Sequence, residues 1–369
     1  MSWQLTTDKA WNALETRFPW VADMRHVPQD RRHHAEGDVA THTRMVLEEL
    51  AKLPGVQALT EEQREIVWAA ALLHDVEKRS TTQTDDAGNI TSPGHARMGE
   101  LTARRLLYRD IPTPFHIREQ VAALVRLHGL PMWLLERPSP ERQVLAAALR
   151  VDLRLLAILA EADLRGRQCE DQAGLLERLE LFGLFCQEQM CWGQARAFTS
   201  AAARYHYLTH PESPPEYEPW PVPGSGVTLL SALPGMGKDR YVAQHCQGMA
   251  VVSLDDIRRR HRIDPKDSNA NGWVVQQAKE QARVLLRRGE PFVWNATNLT
   301  RQLRAQLIQL FTDYHATVRI VYLEVPYAQW RAQNQQREYA VPDAVMDRML
   351  RKLEVPQRDE AHCVEYFVS

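Results

Sequence analysis

The hydrophobic pattern changes period once along the chain. From Asp38 to Leu53, apolar residues recur at helical spacing (Val39, Val46, Leu50, Leu53). Thr60 and Gln63 form a capping box ahead of a helix from Glu61 to about Asp75. Ser92-Pro93 suits the cap and first position of a helix reaching about Tyr108. Helical spacing continues over Pro114–His128, Pro140–Leu164 and Gln172–Trp192, and no strand is expected there. The segment HPESPPEYEPWPVPGSG, from His210, is too proline-rich to continue a helix and reads as an extended linker. Beyond it, short runs rich in Val, Ile and aromatics predict buried strands at Gly226–Ser231, Met249–Leu254, Pro291–Asn295 and Thr317–Glu324. Helical runs separate or follow them: Lys238–His245, Asn271–Arg288, Leu299–Phe311, Tyr327–Arg337 and Val341–Glu354. The expectation is two domains: an all-α domain at 1–209, a linker at 210–225, and an α/β domain at 226–369 with a parallel sheet.

Composition narrows the classes. A 44% hydrophobic content fills real cores, and a net charge of −2 provides no global basic field, so any polyanion site is a local patch. Five cysteines (Cys169, Cys186, Cys191, Cys246, Cys363) show no paired metal spacing and read as reduced cytosolic thiols. The opening MSWQLTTDKAW is not a signal peptide, and no apolar stretch approaches the roughly 18 to 20 residues of a membrane span. A cytoplasmic location without membrane attachment is expected.

Two sets of residues carry chemistry. In the second domain, a strand feeds Ser231-Ala232-Leu233-Pro234-Gly235-Met236-Gly237-Lys238-Asp239-Arg240 and then a helix, the order of a phosphate-binding loop. Backbone N–H groups around Gly235, Met236 and Gly237 would surround phosphate oxygens, with Lys238 as a point charge. Ala232 replaces the usual first glycine, and Asp239 replaces the hydroxyl that normally meets magnesium. Asp255 and Asp256 end the second strand, where a carboxylate can take a hydroxyl proton or bind magnesium through water; Asp256 alternatively caps a helix. The run Arg258–Arg262 is a basic patch or a solvated face. Asn295, Thr297 and Asn298 offer donors and acceptors to the same crevice, and Arg337 is placed to close over a triphosphate. In the first domain, His42, His74-Asp75, His95, His128 and Asp163 fall on successive helices. Imidazole with carboxylate suits first-row divalent metals, and two such metals can share a carboxylate; singly, each residue could equally cap a helix.

The segments HHAEGDVATHT, ALLHDVEK, GHARMG, LVRLHGLP and LAEADLRGR resemble, in order, the HD superfamily of metal-dependent phosphohydrolases, in the form found beside tRNA nucleotidyltransferases. The resemblance implies that His42, His74, Asp75 and Asp163 hold one metal and that His95 and His128 complete a second site, with Mn, Co, Ni or Mg. Lys78 and Arg79 then meet substrate phosphate or form a solvated face, and His33, His34 and Glu36 are loop polar groups. The second domain resembles the phage-type polynucleotide 5′-kinase family over about Val227 to His362, a P-loop fold with a helical lid. It implies donor phosphates on Lys238, Asp255 as general base, Arg258 on an acceptor 3′-phosphate and Arg337 as lid arginine, with ATP or GTP and Mg or Mn.

The two together resemble HD-domain RNA end-healing enzymes. This implies removal of a 2′,3′-cyclic phosphate or 2′-phosphate by one domain and phosphorylation of a 5′-OH by the other. RNA or DNA ends would be the substrates, and a separate RNA ligase the functional partner. A small-metabolite kinase fused to an HD nucleotide phosphohydrolase, or a non-catalytic nucleotide sensor suggested by Asp239, are the alternatives.

Overall fold

The computed structural model describes residues 3–264, 267–336 and 340–369. The chain divides into two compact units, 1–197 and 198–369. Among the described residues no helix is long and apolar enough to cross a membrane.

The first unit is helical around α1 (Val39–Lys52), α2 (Glu61–Leu73), α3 (His95–Arg109), α4 (Phe115–Leu127) and α5 (Leu153–Arg165). Asp38 caps α1 by accepting from the Thr41 N–H, and the Thr60–Gln63 capping box closes in both directions. Every residue of α2 from Ile66 to Leu73 except Trp68 is buried, because α1, α4 and α5 all pack around this helix. Small residues Ala69, Ala70 and Ala71 allow that approach. Gly166 closes α5 against α1: a Cβ there would lie 2.8 Å from the Val46 nitrogen.

Three local expectations are corrected. The Pro140–Leu164 helix is two helices, Pro140–Ala148 and α5, because the Asp152 carboxylate caps a new start by accepting from the Arg154 N–H. Ser92-Pro93 does not start α3; Gly94, at φ 74°, precedes its first residue, and the Ser92 hydroxyl pairs with Thr82 instead. A hairpin of two-residue strands joins Gln83–Thr84 to Ile90–Thr91, too short for its alternation to register.

The second unit contains a five-stranded parallel sheet: β1 (Gly226–Ser231), β2 (Ala250–Ser253), β3 (Phe292–Asn295), β4 (Thr317–Glu324) and β5 (Cys363–Val368), in the order β2-β3-β1-β4-β5. β5 is the strand not anticipated; it is an edge strand, partly exposed along its length, and lacks a continuous apolar run. Helices α6 (Lys238–His245), α7 (Leu254–His261) and α8 (Ser268–Arg287) lie between the first strands. From β1 the chain passes to β2 at one edge and later reaches β4 and β5 on the other side. This reversal at β1 puts a ligand crevice at the carboxyl ends of the central strands.

The helix Ala201–Thr209, expected with the first domain, belongs to the second unit. Arg204 there donates to the Ala361 and His362 carbonyls at 3.3 and 2.6 Å, and Tyr205 packs on the His362 ring at 4.1 Å.

Arg304 locks the second unit behind the sheet. Fully buried, it donates to both Glu360 oxygens at 2.7 and 2.9 Å and to the Asn298 and Glu354 carbonyls at 3.0 and 2.8 Å. Arg304→Ala strands a buried carboxylate, so it is expected to lower the stability of this unit by about 3–5 kcal/mol in urea titration followed by tryptophan fluorescence.

Candidate functional site

All six residues expected at a metal centre meet in the first unit. His42 lies in the first turn of α1, His74 and Asp75 follow α2, His95 opens α3, His128 follows α4, and Asp163 lies in the last turn of α5. The His42 and His74 Nε2 atoms are 3.4 Å apart, and the Asp163 Oδ1 is 3.1 Å from the former and 4.0 Å from the latter. The His95 and His128 Nε2 atoms are likewise 3.4 Å apart. Asp75 spans both groups: Oδ2 is 3.3 Å from His74 Nε2, and Oδ1 is 3.4 Å from His95 Nε2 and 3.9 Å from His128 Nε2. The ligand atoms of His42, His74 and Asp163, and those of Asp75, His95 and His128, each fall within 4.8 Å of one another.

The backbone decides which ring nitrogens face inward. Nδ1 of His74, His95 and His128 sits 2.7, 2.8 and 2.8 Å from the carbonyl oxygen three residues earlier (Ala71, Ser92, Val125). A carbonyl only accepts, so these Nδ1 atoms carry hydrogen and, in the neutral ring, each Nε2 presents a lone pair. Lone pairs and carboxylate oxygens therefore converge, and the buried Asp75 Oδ1 has no hydrogen-bond donor. Divalent cations would satisfy such an arrangement, and the nitrogen and oxygen donors fit transition ions or magnesium, with Asp75 within reach of both groups.

A second tier surrounds the ligands. Burial pushes the Asp75 carboxyl upward, but it is held well below the carboxylate range, with the Lys78 ammonium, 2.8 Å from Oδ2, the largest opposing influence. Burial is likewise outweighed at Asp163 by Arg167, whose Nε donates to Oδ1 at 3.0 Å. Burial pushes His128 down to about 3, so it is neutral and able to ligate. Lys78 also donates to Gln29, and Arg79 pairs with Asp23 and Glu77, so neither is a solvated cation. Glu36 is more than a loop polar group. Its side chain is 1% exposed; Oε1 lies 2.8 Å from His34 Nδ1 and 2.9 Å from His42 Nδ1, and Oε2 accepts the Gln168 N–H at 3.0 Å. Its position six residues before His42 was the available signal; that they share a carboxylate–imidazole contact follows only from the fold.

In the second unit, β1 leads into a loop with Gly235 at φ 85° and Gly237 at φ 90°, left-handed conformations that suit glycine. α6 starts at Lys238, whose ammonium turns onto the Leu233 and Ala232 carbonyls at 3.2 and 3.4 Å. The Asn295–Asn298 segment braces this loop. The Ala232 N–H donates to the Thr297 carbonyl, Ser231 Oγ to the Asn298 carbonyl, and Asn298 Nδ2 to the Leu230 carbonyl at 2.6 Å. Asn298 is buried by this role and does not face the crevice, whereas Asn295 Nδ2 donates to the exposed Asp239 at 2.8 Å. Asp255 is exposed at the start of α7, with Arg258 Nη1 2.6 Å from its Oδ1 and Arg258 Nε donating to Asn271 at 2.7 Å. Ser253, not Asp256, caps α7; the Asp256 carboxylate pairs with Arg259. Arg337 lies outside the described residues. Its neighbouring helix, Tyr327–Gln335, is tied to the loop by Trp330, whose Nε1 donates to the Pro234 carbonyl at 2.8 Å, a contact the sequence pattern did not signal. A cavity of about 410 Å³ adjoins the loop, lined in part by Gly237, Arg240, Gln244, Glu324 and Tyr366.

The Glu36 contact generates a prediction. Glu36→Gln removes the charge that orients His42, so the affinity for Mn²⁺ or Co²⁺ is expected to fall about 10–100-fold in chelator competition while far-UV circular dichroism is unchanged.

Comparison with known proteins places each domain. The HD domain family model matches residues 38–163, and an AAA domain family model matches 227–356. The chain is 33% identical over 172 residues to a protein of Methylococcus capsulatus named multifunctional CCA protein, covering 45% of this chain and 36% of that protein. It is 35% identical over 116 residues to a multifunctional CCA protein of Halorhodospira halophila, covering 31% of this chain and 25% of that protein. The chain thus spans only a quarter to about a third of these relatives. Solved structures of a Janibacter sugar kinase and a Sinorhizobium meliloti gluconokinase are similar at 16% and 17% identity, with TM-scores of 0.30 and 0.28. Each similarity covers 39% of this chain, and 85% and 82% of those chains. The protein joins a helical HD domain to an α/β domain of the P-loop kinase type.

Proposed function

We propose that the protein heals broken RNA ends: the HD domain removes a 2′,3′-cyclic phosphate or 2′-phosphate, and the P-loop domain phosphorylates a 5′-OH. The observation carrying this is the coexistence, in one chain, of a Glu36-braced His/Asp centre and a phosphate loop flanked by Asp255 and Arg258.

In the HD domain, His42, His74, Asp75 and Asp163 hold one divalent ion and His95 and His128, with Asp75, a second. Manganese, cobalt, nickel or magnesium bound there supplies Lewis acidity toward the phosphoryl oxygen and hydroxide at neutral pH. The chain's own residues set the geometry: backbone carbonyls orient His74, His95 and His128, and Lys78 and Arg167 keep Asp75 and Asp163 ionised. In the kinase domain, the N–H groups around Gly235, Met236 and Gly237 cradle ATP or GTP phosphates and Lys238 exchanges loop carbonyls for phosphate oxygen. The nucleoside occupies the cavity beside Arg240 and Gln244. Asp239, steadied by Asn295, stands where a hydroxyl usually meets magnesium or manganese. Asp255 accepts the proton of the acceptor 5′-OH, Arg258 holds the acceptor 3′-phosphate, and Arg337 covers the triphosphate. Joining the healed ends is left to a separate ligase. A metabolite kinase or a nucleotide sensor would share the loop but not accept a polynucleotide end.

The test is an RNA oligonucleotide bearing a 5′-OH and a 2′,3′-cyclic phosphate, supplied with NTP and a metal series. Lys238→Ala and Asp255→Ala are each expected to reduce 5′-phosphorylation about 100-fold or more and to leave 3′-end healing intact; Asp75→Ala does the reverse. Absence of transfer to the 5′-OH by the wild-type protein overturns the kinase assignment.

A further inference from the structure

We propose that Arg260, His261, Arg262 and Trp273 form a stacking and phosphate-contact platform for the nucleotides that follow the 5′ end of a single-stranded acceptor. The inference rests on the polynucleotide-kinase reading and extends it from the reacting end to the strand behind it.

The platform continues directly from Asp255 and Arg258. These residues begin α7, which ends at His261, and Arg262 caps it in the left-handed region at φ 52°. At 1.5 Å rise per residue, His261 lies ~9 Å beyond Asp255 along the helix axis. That is the length of two to three stacked nucleotides at ~3.4 Å each. Arg258 and His261 are three residues apart and share a helix face, with Asp255 three before Arg258, and Arg262 follows directly at the end of the helix. Two successive contacts bind α7 to α8. Arg258 donates to Asn271, and the His261 ring meets Trp273 edge to face with centroids 4.8 Å apart. The aromatic pair is thus one helical turn beyond the proposed acceptor arginine.

The local chemistry fits a single strand. Trp273 is 42% exposed, although the next residue, Val274, is fully buried. A tryptophan directed outward from the first turns of a helix contributes little to the core and offers a flat face to a base. Asp256 neutralises Arg259, but Arg260 and Arg262 are exposed and form no ion pair among the described residues. In a chain of net charge −2, two exposed arginines flanking His261 in sequence, whose ring packs on an exposed indole, form a local polyanion site. Arginines tracking phosphates while aromatic faces take bases is how single strands bind without sequence preference. A small phosphorylated metabolite would end at Arg258 and leave this surface unused.

Trp273→Ala and the double variant Arg260→Ala/Arg262→Ala test the platform in the full chain. A 5′-OH dodecanucleotide and a nucleoside 3′-monophosphate serve as acceptors, and anisotropy of the labelled dodecanucleotide reads binding. The KM advantage of the dodecanucleotide over the mononucleotide is expected to fall about 10-fold in either variant. Trp273→Phe retains most of the advantage, and the double variant flattens the salt dependence of binding. An unchanged advantage, or equal weakening of both acceptors, overturns the platform. If the wild-type protein transfers phosphate to neither acceptor, the kinase reading fails and anisotropy still decides. Wild-type binding weakened about 10-fold by either variant supports the platform, and absent or variant-insensitive binding overturns it.

Discussion

Three backbone carbonyls govern the chemistry of the helical domain. Each holds the Nδ1 hydrogen of a histidine at a helix end, and each thereby turns an Nε2 lone pair into a buried space already occupied by Asp75 and Asp163. Such convergence is costly in an empty interior, because neither lone pairs nor carboxylate oxygens can donate. The helices nevertheless pack tightly enough that Gly166 touches Val46, so the ligands cannot splay apart to relieve it. Lys78 and Arg167 offset part of the negative charge from outside, which leaves the inner faces of the carboxylates for cations. The convergence of these nitrogen and oxygen donors is therefore a consequence of helix-end geometry more than of the individual side chains.

The phosphate loop follows a comparable logic with different groups. Its shape is imposed from the neighbouring strand: Asn298, at φ 46°, turns so that its side chain bonds the Leu230 carbonyl while its own carbonyl receives Ser231 and Arg304. Trp330 fixes the opposite side through Pro234. Lys238 donates to loop carbonyls, contacts that a phosphate can replace, and the bracing of Asn298 and Trp330 shapes the loop before its ligand arrives. Asp239 adds negative charge to that site, and its pairing with Asn295 fixes one oxygen while the residue stays exposed.

The sequence was most legible where one period or one motif dominates. The apolar spacing of α1 and α2 and the Thr60–Gln63 box gave those helices nearly to the residue, and the runs of β1 and β4 gave those strands. The ordered His and Asp motifs named six residues that the fold brings together from five helices, although no spacing links them. What escaped was non-local or weakly patterned. β5 is a partly exposed edge, the break before α5 depends on one capping aspartate, and Glu36 acquires its role only when α1 and the Gln168 segment meet. The bracing role of Asn298 was invisible because an asparagine after a strand reads equally as a crevice donor.

Arginine usage joins the two halves of the argument. A guanidinium is charged at any physiological pH, so its surroundings decide what it can do. Arg304 and Arg167 are buried against carboxylates, and their fork geometry is consumed in holding structure. Arg258 is intermediate: it contacts Asp255 and Asn271 but stays at the crevice edge, where an anionic ligand can compete for it. Arg260 and Arg262 are exposed and form no ion pair among the described residues, at the end of the same helix. Along α7 the cations thus pass from paired to unpaired as the distance from the phosphate loop grows. A substrate confined to the loop would meet only the paired end; a strand extending along α7 meets the charge that the fold leaves uncompensated.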